Sequence, residues 1–160
     1  MKNRSWKAMT LLALLLLLPV EIFGAEIAVI GHKNFPKDKL TISELKKVYL
    51  GRQTDVEGTQ VRPLDQVDES PAKKQFIRKI LGSSLGKYKA HWLKLIFREG
   101  RTPPKVVLTS KDVLKTISKD PGTIGYLQAE ELIKLEKIIL AEELIKLEGI
   151  KVLLKFSTDR

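Results

Sequence analysis

The 160 residues contain no cysteine. That absence excludes disulfides, thiolate catalysis, thiolate metal sites and a lipid-modified amino-terminal cysteine together. Only two histidines occur, His32 and His91, one in a loop and one in a helical stretch beside Trp92, and they offer no metal-ligand spacing. Neither a GxSxG nucleophile turn nor a Walker phosphate loop is present. The basic residues are scattered and not interleaved with aromatics, which make up 6% of the chain, so the charged stacking surface of a nucleic-acid binder is missing too. What these gaps leave is a non-enzymatic chain with no catalytic residue, no metal and no cofactor to nominate.

The first seven residues, Met-Lys-Asn-Arg-Ser-Trp-Lys, are basic, and Ala8 to Leu18 is apolar but for Thr10, with Pro19 ending the run. Such a run is short of the roughly 20 apolar residues that span a bilayer. Residues 1–25 therefore read as a secretory signal peptide, cleaved near Ala25 or Glu26, with an uncleaved anchor as the alternative. Export without disulfides points to a bacterial periplasm. Loss of Lys2, Arg4, Lys7 and Glu21 takes the net charge from +10 to about +8. A basic surface favours anionic partners, whether small oxyanions, acidic protein faces or lipid head groups.

Residues 26–160 alternate strand and helix signals, the pattern of an α/β domain. Glu26 to Ile30 is an opening strand. Thr41-Ile-Ser-Glu44 is a capping box that starts a helix stopped by Gly51. Residues 52–59 read as a turn-rich loop, and Gln60 to Leu64 as the second strand. Ser83-Ser84 starts a helix with Leu85, Tyr88, Trp92, Leu95 and Ile96 on one face, closed by Gly100. After the rigid Arg101-Thr-Pro-Pro104 connector come a short strand at Lys105 to Leu108, a helix capped at Thr109 or Ser110, and strands at Thr123 to Leu127 and Ile150 to Phe156.

The stretch from Arg62 to Gly82 holds the candidate binding feature. Gln66 to Glu69 reads as a loop, Ser70 and Pro71 are an N-cap and first helical residue, and Ala72 to Leu81 carries a helical apolar stripe. A helix start after a strand can hold an anion, because free N–H groups and the helix dipole converge there. The competing reading is a capped connection without a ligand. Asp65, Asp68 and Glu69 read as solvated loop carboxylates. They lack the glycine and ligand spacing of a calcium loop and would repel an anion at that helix end.

Ala129 to Glu136 recurs identically as Ala141 to Glu148. Two copies at a period of twelve match no repeat architecture. On one helix that period turns the apolar face by about 120°, so residues 129–148 read as a tandem duplication within one helical segment. The surplus apolar face is an expected source of self-association.

Leu40-Thr-Ile-Ser-Glu-Leu-Lys-Lys-Val-Tyr-Leu-Gly-Arg52, Ser70 with Pro71 to Phe76, Phe97-Arg-Glu-Gly100 with Pro103-Pro104, and Pro121-Gly-Thr-Ile-Gly-Tyr126 resemble the periplasmic phosphate-binding proteins of ABC transporters, and more closely their short single-lobe relatives. The resemblance covers nearly all of residues 26–160 outside the duplication. It implies one lobe of the type II periplasmic-binding fold, a three-layer α/β/α sandwich, and an exported protein that binds phosphate or another small oxyanion for phosphate uptake. The ligand-binding residues it implies are Ser70, Ala72, Lys73 and Arg62. The pattern departs from the family where Pro71 and Ala72 replace the Gly and Thr after the serine; Pro71 removes an N–H and Ala72 a hydroxyl. No arginine precedes Ser70 in the loop, Arg62 lying further back, and a ligand-closing second lobe has no counterpart in 160 residues. An adaptor that has lost the ligand and binds another envelope protein is the alternative. An ABC transporter and a second copy of the chain are the other expected partners.

Overall fold

The computed structural model describes residues 26–141 and 149–156. The leader reading and most of the second copy of the duplicated segment lie outside the described residues. The elements in order are β1 (Ile27–His32), α1 (Ile42–Tyr49), a small hairpin of β2 (Asp55–Val56) and β3 (Thr59–Gln60), β4 (Arg62–Gln66), α2 (Pro71–Gln75) running on into a π turn (Phe76–Ile80), α3 (Leu85–Glu99), β5 (Lys105–Val107), α4 (Ser110–Ile117), β6 (Thr123–Gln128), α5 (Ala129–Ala141) and β7 (Ile150–Phe156).

One five-stranded sheet in the order β5-β4-β6-β1-β7 carries the fold. β4 runs parallel to β5 and β6, whereas β1 is antiparallel to both of its neighbours, β6 and β7. Side chains alternate across a strand, and β1 is buried along its whole length, so its residues feed two cores. Ile27 and Val29 join Leu45, Tyr49, Phe76, Ile80, Tyr88 and Trp92 on one face. Ala28 and Ile30 join Leu64, Val113, Ile117, Leu132 and Leu135 on the other. Helices α1 to α3 therefore cover one side and α4 and α5 the other. This is the expected three-layer α/β/α sandwich.

Local chemistry accounts for most element ends. Thr41 and Glu44 close the capping box at α1, Ser70 and Ser84 cap α2 and α3, and Thr109 with Asp112 forms a second capping box at α4. Gly51, Gly82 and Gly100 end their helices at φ of 69°, 65° and 62°, backbone that L side chains seldom adopt. Where β1 meets β7 the register slips between Val29 and Ile30. Gly31 makes room there, since a Cβ would come within 2.7 Å of Leu153 Cδ1.

Three sequence expectations need correcting. The loop at 52–59 contains the β2–β3 hairpin, turning at Glu57 and Gly58 with φ of 48° and 78°; positive φ at both central residues suits the strand twist. β4 continues to Gln66, so Asp65 and Gln66 are strand residues buried in the fold. The helix after Ser70 is regular only to Gln75. From Phe76 the hydrogen bonds lengthen by one residue, with Leu81 N–H donating to Phe76 O at 3.1 Å.

Candidate functional site

In open α/β sheets, ligands sit outside the carboxyl ends of the parallel strands. Here β6 ends at Gln128, and β4 and β5 end at Gln66 and Val107, each of these two leading into a side-chain-capped helix. An open depression of about 690 Å³ lies between them, lined by Gln66, Ser70, Pro71, Thr109, Ser110 and Lys111, with Glu69, Glu131 and Lys134 also at its wall. Two helix starts thus open onto the same hollow.

The hydrogen-bond account at each start decides what remains for a ligand. Ser70 N–H donates to Val67 O, Pro71 has no N–H, Lys73 N–H donates to Ser70 Oγ at 3.4 Å, and Lys74 N–H donates to Ser70 O. Only Ala72 N–H is left in that first turn. At α4, Thr109 N–H donates to Asp112 Oδ2, Asp112 N–H to Thr109 Oγ1, and Val113 N–H to Thr109 O. Ser110 and Lys111 N–H remain. Three backbone donors therefore have no acceptor among the described residues, the usual provision of helix starts. Their electrostatic surroundings are mixed. Lys111 and Lys134 face Glu69 and Glu131 in the same hollow, Lys134 Nζ lies 2.6 Å from Glu130, and Ser110 Oγ donates to Glu131 at 2.8 Å.

The four residues nominated from sequence do not converge. Ser70 is at the hollow and is held there twice, capping α2 and donating from Oγ to Gln66 Oε1 at 2.6 Å. Ala72 is buried behind it and can offer only its N–H. Lys73 turns into the protein, its Nζ 2.9 Å from Asp65 and 2.9 Å from Asp68. Arg62 opens β4 at the end away from Ser70, about 13 Å of strand from Gln66. It forms a forked pair with Asp120 and borders a separate cavity of about 620 Å³ with Arg101 and Lys105.

The Asp65–Asp68 region is likewise not the solvated loop that its sequence suggested. Asp65 is 4% exposed; its Oδ1 accepts from Gln66 N–H and Tyr126 O–H while Oδ2 faces Lys73. Asp68 bridges Lys73 and, at 2.6 Å, Lys89. The sequence did carry a signal. Lys73 stands three, four and seven residues before Phe76, Ile77 and Ile80, so it shares their buried face and requires a buried carboxylate partner. His91 has a structural place as well, its Nε2 lying 2.9 Å from Leu50 O.

The ion pairs predict an acid response. Hydrogen bonds from Lys89 and then Lys73 hold the Asp68 carboxyl down at about 2, against 3.8 ordinarily. Lys37, then the Thr41 backbone, hold Glu44 at about 2, against 4.5. A carboxylate with a depressed folded pKa contributes stability above its unfolded value, and that contribution is lost as pH falls toward the folded value. Both groups are partly exposed and screened, so the joint loss between pH 5 and 2 is expected to be about 1–2 kcal/mol. Urea unfolding across that range checks it. Asp68→Asn should flatten the slope, and an unchanged slope would show that the Lys89 pair contributes nothing.

The sheet and its two helix layers have the fold of one lobe of a type II periplasmic-binding protein. The chain is similar in fold to solved structures of phosphate ABC transporter proteins. A phosphate-bound protein from Clostridium perfringens, assigned as a phosphate ABC transporter substrate-binding protein, superposes with a TM-score of 0.55 at 17% identity over 81% of this chain and 45% of its own. PstS from Borrelia burgdorferi gives 0.53 at 15% identity over 82% and 48%, and an ABC-type phosphate transport receptor from Vibrio cholerae 0.52 at 13% over 81% and 46%. The chain thus spans less than half the length of these structures. No protein-family profile matches it, and no curated protein sequence does.

Proposed function

We propose that this is an exported, non-enzymatic binding protein that holds a small oxyanion, phosphate first, in the hollow between the Ser70 and Thr109 helix starts. The observation that carries the reading is the meeting there of two helix starts at the carboxyl ends of β4 and β5, with Ser110 and Lys111, whose backbone N–H groups have no acceptor among the described residues, at its wall. Backbone N–H groups and helix dipoles favour an anion without needing a basic side chain. The nearby Glu69 and Glu131 offset Lys111 and Lys134, so the expected binding is weak, with Kd on the order of 1 mM. Calorimetric titration of residues 26–160 with phosphate, sulfate and an organic acid tests this. A saturable heat with phosphate or sulfate supports it, and silence with all three overturns it. Role in phosphate uptake, delivery to an ABC transporter and residence in the periplasm belong to the same proposal; cell fractionation that finds a full-length cytosolic product would sink the export part.

Ser70→Ala separates capping from binding. It should cost about 1 kcal/mol of stability through the lost cap. If Ser70 also contacts the anion, phosphate affinity falls as well; unchanged affinity with lower stability makes it a cap alone.

A second reading, a ligand-less adaptor for another envelope protein, is favoured by the same residues seen from the other side. Both serine and threonine side chains at the helix starts are already engaged within the protein, and Lys73 and Arg62 are committed to Asp65, Asp68 and Asp120.

A further inference from the structure

The sheet is incomplete at the amino end of β4. β5 pairs only with the later part of that strand, Leu64 to Gln66 against Lys105 to Val107, while Arg62 and Pro63 pair with β6. The ladder toward β5 cannot extend backward, because Pro63, Pro103 and Pro104 carry no N–H. The Arg101–Pro104 connector therefore runs beside β4 without joining it, and the cavity of about 620 Å³ is lined by both. Its walls are held in place. Trp92 Nε1–H donates to Tyr49 O at 3.2 Å, and Arg101 Nη1 donates to Gly51 O at the end of α1. Proline rings fix the backbone of the opposite wall.

The lining has two characters. Val48, Trp92, Pro103 and Pro104 are apolar, whereas Arg62, Arg101 and Lys105 set three cations against one carboxylate, Asp120. That carboxylate is fully committed. It accepts from Arg62, from Gly122 N–H at 3.0 Å and from Thr123 Oγ1 at 2.8 Å. The cations are not. Arg62 spends Nε and Nη2 on Asp120, which leaves Nη1. Arg101 spends Nε on Glu99 and Nη1 on Gly51, which leaves Nη2. Lys105 is exposed and forms no ion pair among the described residues.

These leftovers select a ligand. A cationic ligand would meet no free carboxylate in the lining. An inorganic oxyanion would satisfy the cations but leave the apolar wall in water. The volume falls in the range of small-molecule pockets, roughly 300–1,000 Å³, which combine apolar walls with a few placed polar groups.

We propose that this cavity is a second binding site, for a small organic carboxylate. Its anionic group takes the free donors of Arg62 Nη1, Arg101 Nη2 and Lys105 Nζ, and its apolar body lies against Trp92, Pro103 and Pro104. No residue lines both this cavity and the Ser70 hollow, so the two proposals stand or fall separately.

Trp92 is the sole tryptophan of residues 26–160, so its fluorescence reports on this cavity directly. The test titrates those residues with phenylacetate, with phenethylamine, which carries the same ring on a cation, and with inorganic phosphate. The expected result is a saturable, salt-sensitive change with phenylacetate alone, undiminished by added phosphate. Affinity for phenylacetate should fall about tenfold in Lys105→Glu and in Arg101→Gln. Both side chains are exposed, so the fold should tolerate either change. No saturable change with phenylacetate, an equal response to phenethylamine, displacement by phosphate, unchanged affinity in either variant, or tighter binding of a glutamate heptapeptide would each overturn the proposal.

Discussion

Asp65→Ala is expected to destabilise the protein by about 3–5 kcal/mol, the cost of breaking a buried ion pair on one side. Asp65 and Lys73 are each 4% exposed, with 2.9 Å between Oδ2 and Nζ. Removing the carboxylate leaves the ammonium with Asp68 alone, which is partly in solvent. It also strips Tyr126 O–H of its acceptor and Gln66 N–H of a bond at 2.8 Å. Replacing the pair as a unit avoids the stranded charge, so Asp65→Leu/Lys73→Met should recover most of the loss. Urea unfolding of wild type, both single variants and the double variant gives the coupling directly. A loss below about 1 kcal/mol in Asp65→Ala would mean that Lys73 escapes to solvent, and the network would be peripheral.

Phe76→Ala should cost a comparable amount, about 3–5 kcal/mol, for a different reason. Phe76 is 1% exposed and begins the π turn. Its ring stacks on Tyr126 with centroids 4.0 Å apart and planes within 2°, and it meets Tyr49 at 4.6 Å. Deleting it opens a cavity among rings that are themselves tethered, since Tyr49 O–H donates to Leu64 O at 3.0 Å, so collapse into the space is hindered. Phe76→Leu keeps much of the volume and should cost about 1–2 kcal/mol. Thermal unfolding of both distinguishes lost packing from lost aromatic geometry: equal losses would point to the ring contact itself.

Features written in neighbouring residues could be read without coordinates. Thr41 with Glu44, Ser70 with Pro71, Ser84 and Thr109 all cap where their chemistry predicts, and the glycine stops at 51, 82 and 100 adopt the required positive φ. The α/β class followed from the alternation of those elements, and the three-layer sandwich from the family resemblance. The nominated site did not assemble, because its residues are placed by contacts that local sequence does not encode. Arg62 answers to Asp120, 58 residues away, and no spacing rule pairs them. The second helix start at the hollow, Thr109, was recognised as a cap, but its meeting with Ser70 depends on β4 and β5 being sheet neighbours. The buried Asp65 was misread because β4 was ended two residues early, which moved a strand carboxylate into a supposed loop.

The reversed strand β1 also has a consequence in time. Ile27 is hydrogen-bonded between strands whose partner residues are Gln128 and Phe156. Ile-Ala-Val-Ile-Gly-His is thus made early and finds its neighbours only when nearly all of the described chain exists. Loop closure over such separations slows folding. In the interval the hexapeptide is an uncovered, low-charge, proline-free β-former, the composition that seeds intermolecular sheets. The hazard for this protein therefore lies in the seconds of its synthesis more than in the finished fold, and a holdase that masks residues 27–32 should raise the yield of folded protein more than any stabilising substitution in the core.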